Sequence, residues 1–465
     1  MAARPDPDQV TAAEISEACD GRLLGGSPGW PVRSFSTDTR TLAPGDLFIA
    51  LQGKRFDGHA YLAAARERGA IGAVVADAAG SGPWPGALWV GVRETQWALG
   101  QIAHLWRTRH RVRVTGVTGT NGKTMTKEMI GAILAQAAGR EHVFTSPGNL
   151  NNLVGLPLSL LRVRRQHRMA VVEMGMSARG EIDRLATIAL PDVGVITNIG
   201  EGHLEFLGSV GEVALAKGEL LRHLTGNRVA VLNLDDPYSH GLLPAVRGEL
   251  LTFGMNTWAD VRAEKVRLGR GAGFDLCYGG DRVRVRLLVP GSVMVLNALA
   301  AAAAAVAMGV GLTTVAAGLH RLPAIPMRME RFRHRSGAII VNDAYNANPT
   351  SMQAALETFF QMSRGRSQIL ILGSMLELGA VTGAAHRRIG ATAAAGRPAR
   401  LITVGREAEA IAEGARAAGL DSRRIQVCPN AVEAVRYLRP WLRRGIWILL
   451  KGSRGMALER LLEGL

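Results

Sequence analysis

Short apolar segments separated by polar or glycine-containing turns recur along most of the chain. Segments 169–173, 193–199 and 229–234 are apolar and are bounded by polar residues or glycine. Runs of this length without polar alternation are typical of strands that are buried on both faces of a parallel sheet. The pattern therefore predicts an α/β fold with helices between the strands.

The first 110 residues repeat this pattern on a smaller scale. Segments 46–51 and 70–75 predict strands, and segments 59–68 and 94–109 predict helices. We expect a small N-terminal α/β domain over residues 1–110.

A central domain is expected over residues 111–326, and its second half differs in pattern. Segment 262–289 alternates polar and apolar residues, which favours antiparallel strands. Segment 298–319 has 22 residues without a charge, enough to span a bilayer. Ten of them are alanine, however, and three glycines interrupt the run, so a buried helix followed by a turn is favoured over a membrane span.

The remaining residues, 327–465, predict a C-terminal Rossmann-like domain. Apolar segments 369–372, 401–404 and 446–450 alternate with helical segments, and a glycine lies at or just past the end of each. Ligands of such doubly wound sheets bind at the carboxyl ends of the strands. Three domains also agree with a length of 465 residues.

Composition narrows the class of protein. Hydrophobic residues make up 47% of the chain, which excludes wholesale disorder. The three cysteines form no CxxC pair, which argues against a disulfide framework or a cysteine-ligated metal and fits a reducing cytoplasm. Residues 1–10 contain prolines and acids where a signal peptide would need an apolar run. We therefore expect a cytoplasmic protein.

The chain is strongly basic, with 55 lysines and arginines against 39 acids and a net charge of +16. Almost all of the basic residues are arginine, so a solvated arginine-rich surface is one interpretation, and attraction of polyanionic ligands is the other. No helix-turn-helix, RNP or zinc pattern is present, so we predict no nucleic-acid partner.

A glycine-rich loop follows the predicted strand 112–117 and precedes a predicted helix over 125–138. Glycines allow the backbone to turn so that N–H groups point at phosphate oxygens, and the helix N-terminus adds positive potential. A lysine and a threonine at the end of such a loop suit the β/γ-phosphates and Mg²⁺. Val117 replaces the first glycine of the GxxxxGK[ST] pattern, and a purely structural turn is the alternative. The loop residues are Thr118, Gly119, Thr120, Asn121, Gly122, Lys123 and Thr124.

Three further residues have the chemistry of a metal or phosphate site. Glu173 ends an apolar strand, His203 follows the next one, and Lys217 lies 14 residues beyond His203. Taken singly, such residues are more often a cap, a hydrogen-bonding histidine and a solvated helix lysine. Their spacing alone does not bring them together.

Several motifs in order resemble the Mur ligase family over nearly the whole chain. They are TGTNGKT at 118–124, SPGNLNNLVGLP at 146–157, EMG at 173–175, TNI with a following histidine at 197–203, and AKGE at 216–219, whose lysine is Lys217. In the N-terminal domain, 38–40, 45–48 and 57–59 resemble the family's uridine-binding segments. Segment 342–349, which contains Asp343, resembles a nucleotide-contacting segment of the family, and segments 373–379 and 451–454 are similar to those of its dipeptide-adding member.

The resemblance implies an ATP-dependent amide ligase that works through an acyl phosphate in peptidoglycan precursor synthesis. Its cofactors would be ATP and Mg²⁺, its substrates UDP-N-acetylmuramoyl-tripeptide and D-alanyl-D-alanine, and the protein would be a monomer. The implied catalytic residues are Lys123, His203 and Lys217, the last as a carbamate. Besides the loop at 118–124, the implied ATP-binding residues are Asn297, Arg328 and Asp343. The implied metal-binding residues are Thr124, Glu173, His203 and carbamylated Lys217. The implied substrate-binding residues are Asp38, Asn149 and Asn152.

The chain departs from the family at two places. Val293 and Met294 stand where the family has His-Asn before the adenine-side asparagine, and Ser374 stands where it has aspartate. The rival interpretations are another amide ligase, such as the third-residue-adding enzyme or a folylpolyglutamate-synthase-like protein, and a P-loop NTPase that is not a ligase.

Overall fold

Three larger β-sheets follow one another along the chain. The structure is a computed structural model that describes residues 6–53, 56–77, 82, 84–255, 257–269 and 271–465. Strands of the first sheet lie between Arg22 and Val92, those of the second between Arg113 and Leu287, and those of the third between Glu330 and Lys451. This arrangement confirms the predicted three-part α/β fold.

The first sheet has five strands, and two short two-stranded ribbons accompany it. The strands in this part are β1 (Val10–Thr11), β2 (Arg22–Gly25), β3 (Pro31–Val32), β4 (Phe35–Ser36), β5 (Leu47–Ile49), β6 (Gln52–Gly53), β7 (Phe56–Asp57), β8 (Gly72–Ala76) and β9 (Leu88–Val92). The helices are α1 (Ala12–Ala18), α2 (Leu62–Glu67) and α3 (Thr95–Arg109). The sheet order is β2-β9-β8-β5-β4, and only β2 and β9 pair antiparallel.

The helix predicted over 59–68 is divided in two. A 3₁₀ turn at Gly58–Tyr61 precedes α2, because the Asp57 side chain accepts a hydrogen bond from the His59 N–H and starts a tight turn.

The second sheet has nine strands, parallel in its first seven members and antiparallel at the end. The strands are β10 (Arg113–Thr118), β11 (Val143–Thr145), β12 (Met169–Glu173), β13 (Val193–Ile196), β14 (Thr225–Asn233), β15 (Arg247–Gly254), β16 (Val261–Leu268), β17 (Ala272–Tyr278) and β18 (Asp281–Leu287). Their order is β11-β12-β10-β13-β14-β15-β16-β17-β18. The antiparallel segment predicted over 262–289 is thus present, and it extends the main sheet because β16 pairs parallel with β15.

Helices cover both faces of this sheet. They are α4 (Lys123–Ala138), α5 (Gly155–Leu160), α6 (Glu181–Ala189), α7 (Leu204–Leu207), α8 (Val210–Gly218), α9 (Pro237–His240), α10 (Ser292–Ala307) and α11 (Leu312–His320). One core contains residues of α4, α10 and α11. The other contains residues of α5, α6 and α8 together with α3 and the first sheet, so the N-terminal and central parts share a core.

The alanine-rich segment forms the buried helix α10 followed by a turn, as predicted, and then a second helix, α11, which the sequence analysis did not predict. Eight consecutive positions, 298–305, are fully buried in the protein, because small side chains let α10 lie close to its neighbours. In the part of the chain that the structure describes, no helix is both long and apolar enough to span a bilayer.

The third sheet has six strands with helices on both faces. The strands are β19 (Glu330–Arg333), β20 (Ile339–Asn342), β21 (Ser367–Gly373), β22 (Arg400–Val404), β23 (Ile425–Cys428) and β24 (Ile446–Lys451). The helices are α12 (Pro349–Met362), α13 (Thr382–Ala395), α14 (Glu409–Ala417), α15 (Ala431–Leu438) and α16 (Arg460–Glu463). The order is β19-β20-β24-β21-β22-β23, with only β19 antiparallel.

Candidate active site

A tight loop joins β10 to α4 at the carboxyl edge of the central sheet. Gly119 has φ +147° and Gly122 has φ +81°, values that side chains with a Cβ rarely adopt. A Cβ at Gly119 would overlap the Thr197 hydroxyl, and one at Gly122 would overlap the Asn297 amide oxygen. Both glycines are therefore required by conformation and by space.

Lys123 is the first residue of α4, two residues earlier than the sequence predicts for the helix start. Its ammonium donates to the carbonyl oxygens of Gly119, at 2.7 Å, and of Thr120, at 3.2 Å. Burial lowers the pKa of Lys123 below its usual value, while the nearby Glu173 carboxylate acts in the opposite direction. The ammonium thus lies inside the loop, where a phosphate would replace the carbonyl oxygens as its partner.

The loop is held in place by the residues that follow β13. The Asn121 N–H donates to Asn198 Oδ1 at 2.9 Å, and the Thr120 N–H donates to the Asn198 carbonyl at 2.9 Å. The Thr197 hydroxyl donates to the Asn121 carbonyl at 2.6 Å. The sequence analysis gave Asn198 no functional role of its own, although its position just after a strand indicates a residue that could contact the loop.

Glu173 ends β12 and is 2% exposed. One carboxylate oxygen accepts from the Thr124 hydroxyl at 2.8 Å, and the other accepts from the Asn151 amide at 2.8 Å. Asn151 was also not singled out from the sequence. A buried carboxylate beside a threonine hydroxyl at the helix N-terminus provides hard oxygen donors.

The two predicted substrate residues of segment 146–157 lie on the wall of one cavity, but they differ in their contacts. Asn152 Oδ1 already accepts from the N–H groups of Val154, at 3.1 Å, and Gly155, at 2.8 Å, where α5 begins. Within the described residues, the Asn149 side chain, which also lines the cavity, makes no such hydrogen bonds. Asn149 is therefore the freer of the two to meet a ligand.

On the opposite wall, residues from the C-terminal part face the phosphate loop. The Arg328 guanidinium lies 4.0 Å above the Tyr345 ring and donates to the Thr124 hydroxyl at 3.3 Å. Asp343 forms a buried ion pair with Lys451, with Nζ and Oδ2 2.6 Å apart, and also accepts from the Met329 N–H at 3.0 Å. These contacts orient Arg328 and Asp343 towards the cavity.

Asn297 lies on α10 directly beside the loop and is 5% exposed. Val293 and Met294, which replace the expected His-Asn, also line the cavity near it. The wall on this side is therefore apolar, which suits a flat ring better than a charged group.

His203 has a left-handed backbone (φ +56°) at the start of α7. Its Nδ1 lies 2.7 Å from an oxygen of Glu377 in the C-terminal part, although the angles are not those of a hydrogen bond. This contact lowers the pKa of the Glu377 carboxyl. Glu377 also has a positive φ of 62°, and sequence reasoning gave its side chain no role.

Four predicted site residues, Asp38, Thr118, Gly119 and Lys217, do not line the cavity described below. Lys217 is 1% exposed at the end of α8, and burial together with the positive charge of Lys123 lowers its pKa well below the usual value. Asp38 lies in the N-terminal part, where a bidentate pair with Arg40 holds its pKa at about 2.

The remaining predicted site residues line one cavity of about 730 Å³. It is lined by both the central and the C-terminal part. Its predicted lining residues are Thr120, Asn121, Gly122, Lys123, Thr124, Asn149, Asn152, Glu173, His203, Asn297, Arg328 and Asp343. Thr118 is fully buried at the end of β10, and its hydroxyl has no partner among the described residues.

Several polar contacts join the central and C-terminal parts around the cavity. The Asn121 and Asn348 amides bond reciprocally at 3.3 and 2.8 Å, Arg328 donates to Thr124, and His203 lies against Glu377. The Glu205 N–H also donates to the Glu377 carbonyl at 3.2 Å, and a 2.5 Å ion pair joins Arg388 to Glu201 outside the cavity wall. A ligand in the cavity would contact both parts at once.

Ser374, at the position where aspartate was expected, is fully buried. Its hydroxyl accepts from the Ala408 N–H at 3.2 Å, just before α14. This contact lies within the C-terminal domain, and Ser374 does not line the cavity.

Comparison with known proteins decides the family. Three family profiles match in chain order: "Mur ligase family, catalytic domain" over 31–106, "Mur ligase middle domain" over 117–305, and "Mur ligase, glutamate ligase domain" over 327–454. The chain is also 37% identical, over 98% of its own length and 98% of the other, to the UDP-N-acetylmuramoyl-tripeptide--D-alanyl-D-alanine ligase of Bacillus subtilis. The chain belongs to the Mur ligase family.

Other Mur ligases agree over nearly the whole chain. The enzyme of the same name from Escherichia coli is 33% identical, with 98% of each chain covered. A crystal structure of MurF from Acinetobacter baumannii has a TM-score of 0.88 at 30% identity, covering 98% of both chains. MurF from Thermotoga maritima, solved in complex with ADP, has a TM-score of 0.81 at 27% identity and covers 93% of this chain and 97% of its own.

Proposed function

We propose that this Mur ligase joins D-alanyl-D-alanine to UDP-N-acetylmuramoyl-tripeptide, with cleavage of ATP to ADP and phosphate, in peptidoglycan precursor synthesis. The observation that carries this proposal is the shared cavity, in which the phosphate loop of the central part faces Arg328 and Asp343 of the C-terminal part. Relatives with this activity in their names match the chain over 98% of its length, which supports the proposal.

The reaction must make a carboxylate electrophilic. A carboxylate oxygen of the tripeptide attacks the γ-phosphorus of ATP, the bond to the β-phosphate oxygen breaks, and ADP leaves. The dipeptide amine then attacks the acyl phosphate carbon, loses a proton, and expels phosphate that keeps one former carboxylate oxygen.

Two anions must approach each other in the first step, and positive charge offsets their repulsion. Lys123 is placed for the β/γ-phosphates, because its ammonium already lies inside the loop at 119–122. The N–H groups at the start of α4 add favourable potential. The loop residues 118–124 hold the phosphates in this proposal, with Arg328 beside the γ-phosphate and Asn297 and Asp343 on the nucleoside side.

The donor set fits magnesium, which favours oxygen ligands and keeps some of its sites for phosphate and water. Thr124 and Glu173 provide adjacent oxygens 2.8 Å apart, and the described residues contain no cluster of three or more His, Cys, Asp or Glu side chains that could hold a metal without the substrate. Bound Mg²⁺ would neutralise charge on the transferred phosphoryl group. We assign His203 and carbamylated Lys217 to a second metal.

The environment of Lys217 suits carbamylation. Burial and the Lys123 charge lower its pKa, which favours the neutral amine that CO₂ requires. The reaction replaces an amine by a carboxylate-like group, which can bind or position a cation. We assign Lys123, His203 and Lys217 as catalytic residues on these grounds.

Precursor binding would involve the N-terminal part and the 146–157 segment. We assign Asp38 to the uridine end and Asn149 and Asn152 to the peptide end. We also propose domain limits of 1–110, 111–326 and 327–465. A monomer acting in the cytoplasm would meet the nucleotide-linked substrate there, and the three buried cysteines are unpaired, as a reducing compartment would leave them.

The deciding experiment incubates the full-length protein with ATP, Mg²⁺, UDP-N-acetylmuramoyl-tripeptide and D-alanyl-D-alanine, followed by mass spectrometry. We expect one new amide bond per ADP formed, and ¹⁸O from a labelled carboxylate in the released phosphate. Product with single amino acids instead of the dipeptide would indicate the third-residue-adding type. ATP hydrolysis stimulated by nucleic acid, without amide product, would contradict a ligase.

A further inference from the structure

A second lysine of α4 is buried outside the proposed reaction. Lys127 lies one helical turn after Lys123 and is 0% exposed. An ammonium is retained in a protein interior only where acceptors compensate its lost hydration. The position of Lys127 therefore calls for a specific set of partners.

Those partners come mainly from one segment. Lys127 Nζ donates to the Ser146 carbonyl at 2.6 Å and to the Gly148 carbonyl at 2.9 Å, and it lies 2.8 Å from Glu128 Oε1. Two of the three N–H groups of the ammonium are thus used by the carbonyls, and the Glu128 carboxylate provides a neighbouring negative charge. Lys127 does not line the cavity, which separates it from the residues that would touch substrate.

The segment that Lys127 holds leads directly to the site. Ser146 Oγ accepts from the Glu173 N–H at 3.3 Å, and Asn151 donates to the Glu173 carboxylate. Asn149, between them, lines the cavity. The segment 146–152 is thus fixed at one end by Lys127 and at the other by Glu173.

We propose that Lys127 is a positioning residue that fixes segment 146–152 relative to the nucleotide-binding helix, so that Asn149 meets the peptide precursor. This rests on the proposed function for the identity of the precursor. Because Lys123 and Lys127 lie on the same face of α4, one turn apart, the helix joins the phosphate loop directly to the precursor segment.

The test compares Lys127→Met, similar in length but without donors, with Glu128→Gln, which leaves both carbonyl contacts in place. Lys127→Met leaves two carbonyls without their donor, and we expect the KM for UDP-N-acetylmuramoyl-tripeptide to rise about tenfold or more. The KM for ATP should stay within about twofold, since the phosphate loop keeps its own hydrogen bonds. Glu128→Gln should change neither KM by more than about twofold.

Calorimetric titration of UDP-N-acetylmuramoyl-tripeptide into each variant, without ATP, gives a readout that does not depend on turnover. Weaker precursor binding by Lys127→Met, with wild-type nucleotide binding, supports the proposal. Unchanged precursor binding, or equal loss for both ligands, overturns it. Should Lys127→Met fail to fold, Lys127→Gln, which keeps a shorter donor, must show the same selective loss.

Failure of the proposed function has a different outcome: the wild-type protein itself would then not join D-alanyl-D-alanine to the precursor. The present proposal fails when the wild type is active and the variants show no selective effect on the precursor.

Discussion

The two walls of the cavity are built in different ways. The central wall consists of the phosphate loop, Glu173 and the residues after β13, and they bond to one another many times within the same sheet edge. The C-terminal wall presents Arg328 and Asp343 and meets the central wall through a few polar contacts. The residues of the central wall are held by hydrogen bonds to one another, whereas the position of the C-terminal wall relative to them depends on the few contacts between the walls.

This difference predicts that the two walls have different roles in the reaction. Groups on the central wall should govern the chemical step, because they lie where charge develops. Groups that only join the walls should govern alignment, and each of them is one contact among several. Substitutions on the two walls should therefore differ in size and in the kinetic constant they change.

The largest effect is expected on the central wall, at Lys123. Lys123→Ala removes the ammonium inside the loop and should lower kcat about 10²–10³-fold. The fold should be retained, as checked by circular dichroism and thermal unfolding, because no core side chain is lost. A folded variant with near wild-type ATP turnover would contradict the assignment of the loop.

A smaller but still large loss of activity is expected on substitution of Lys217, which belongs to the central part but does not line the cavity. Lys217→Ala should lower activity about 10–100-fold or more, as removal of groups that orient metal sites does. A short carboxylic acid added to the assay should restore part of the activity by standing in for the carbamate.

The control for this test is Lys265→Ala, which removes a lysine that is largely exposed. It should remain fully active, with or without the acid. Full activity of Lys217→Ala without any addition would rule out the carbamate.

The smallest effect is expected for the contacts that join the walls. Asn348→Ala removes both hydrogen bonds of the amide pair with Asn121, as well as the side-chain cap of α12. We expect a net cost of about 1 kcal/mol, or roughly a fivefold loss in kcat/KM. Arg388→Ala breaks a partly exposed ion pair and should change kcat/KM less than about twofold. A loss of activity in Asn348→Ala as large as that in Lys123→Ala would contradict the expectation that central-wall groups govern the chemical step and that the contacts between the walls govern alignment.

Much of the fold follows from local pattern. Apolar segments such as 169–173 and 446–450 form strands close to the predicted limits, because strands buried on both faces need a continuous apolar run. Short or partly exposed strands, such as β11 and β15, are absent from the sequence prediction. Their side chains are partly polar, and only pairing with a neighbour defines them as strands.

The family resemblance is confirmed by the relatives, whereas the site assignments remain predictions. Asn151, Asn198 and Glu377 lie in segments that resemble the family, but the sequence analysis gave none of them an individual role. The structure distinguishes them within those segments by what they contact: the Glu173 carboxylate, the loop at 119–122 and His203.

The sequence by itself determined the glycine turn between β10 and α4, because strand, glycines, lysine and helix start are contiguous and their geometry depends on neighbours a few residues away. Only the tertiary structure decided that Asn121 pairs with an asparagine 227 residues further on, and that Lys127 and Lys217 are buried. A lysine on a helix has no local signal for burial. Its surroundings are set by which distant segments pack against that face, and this is a property of the folded chain.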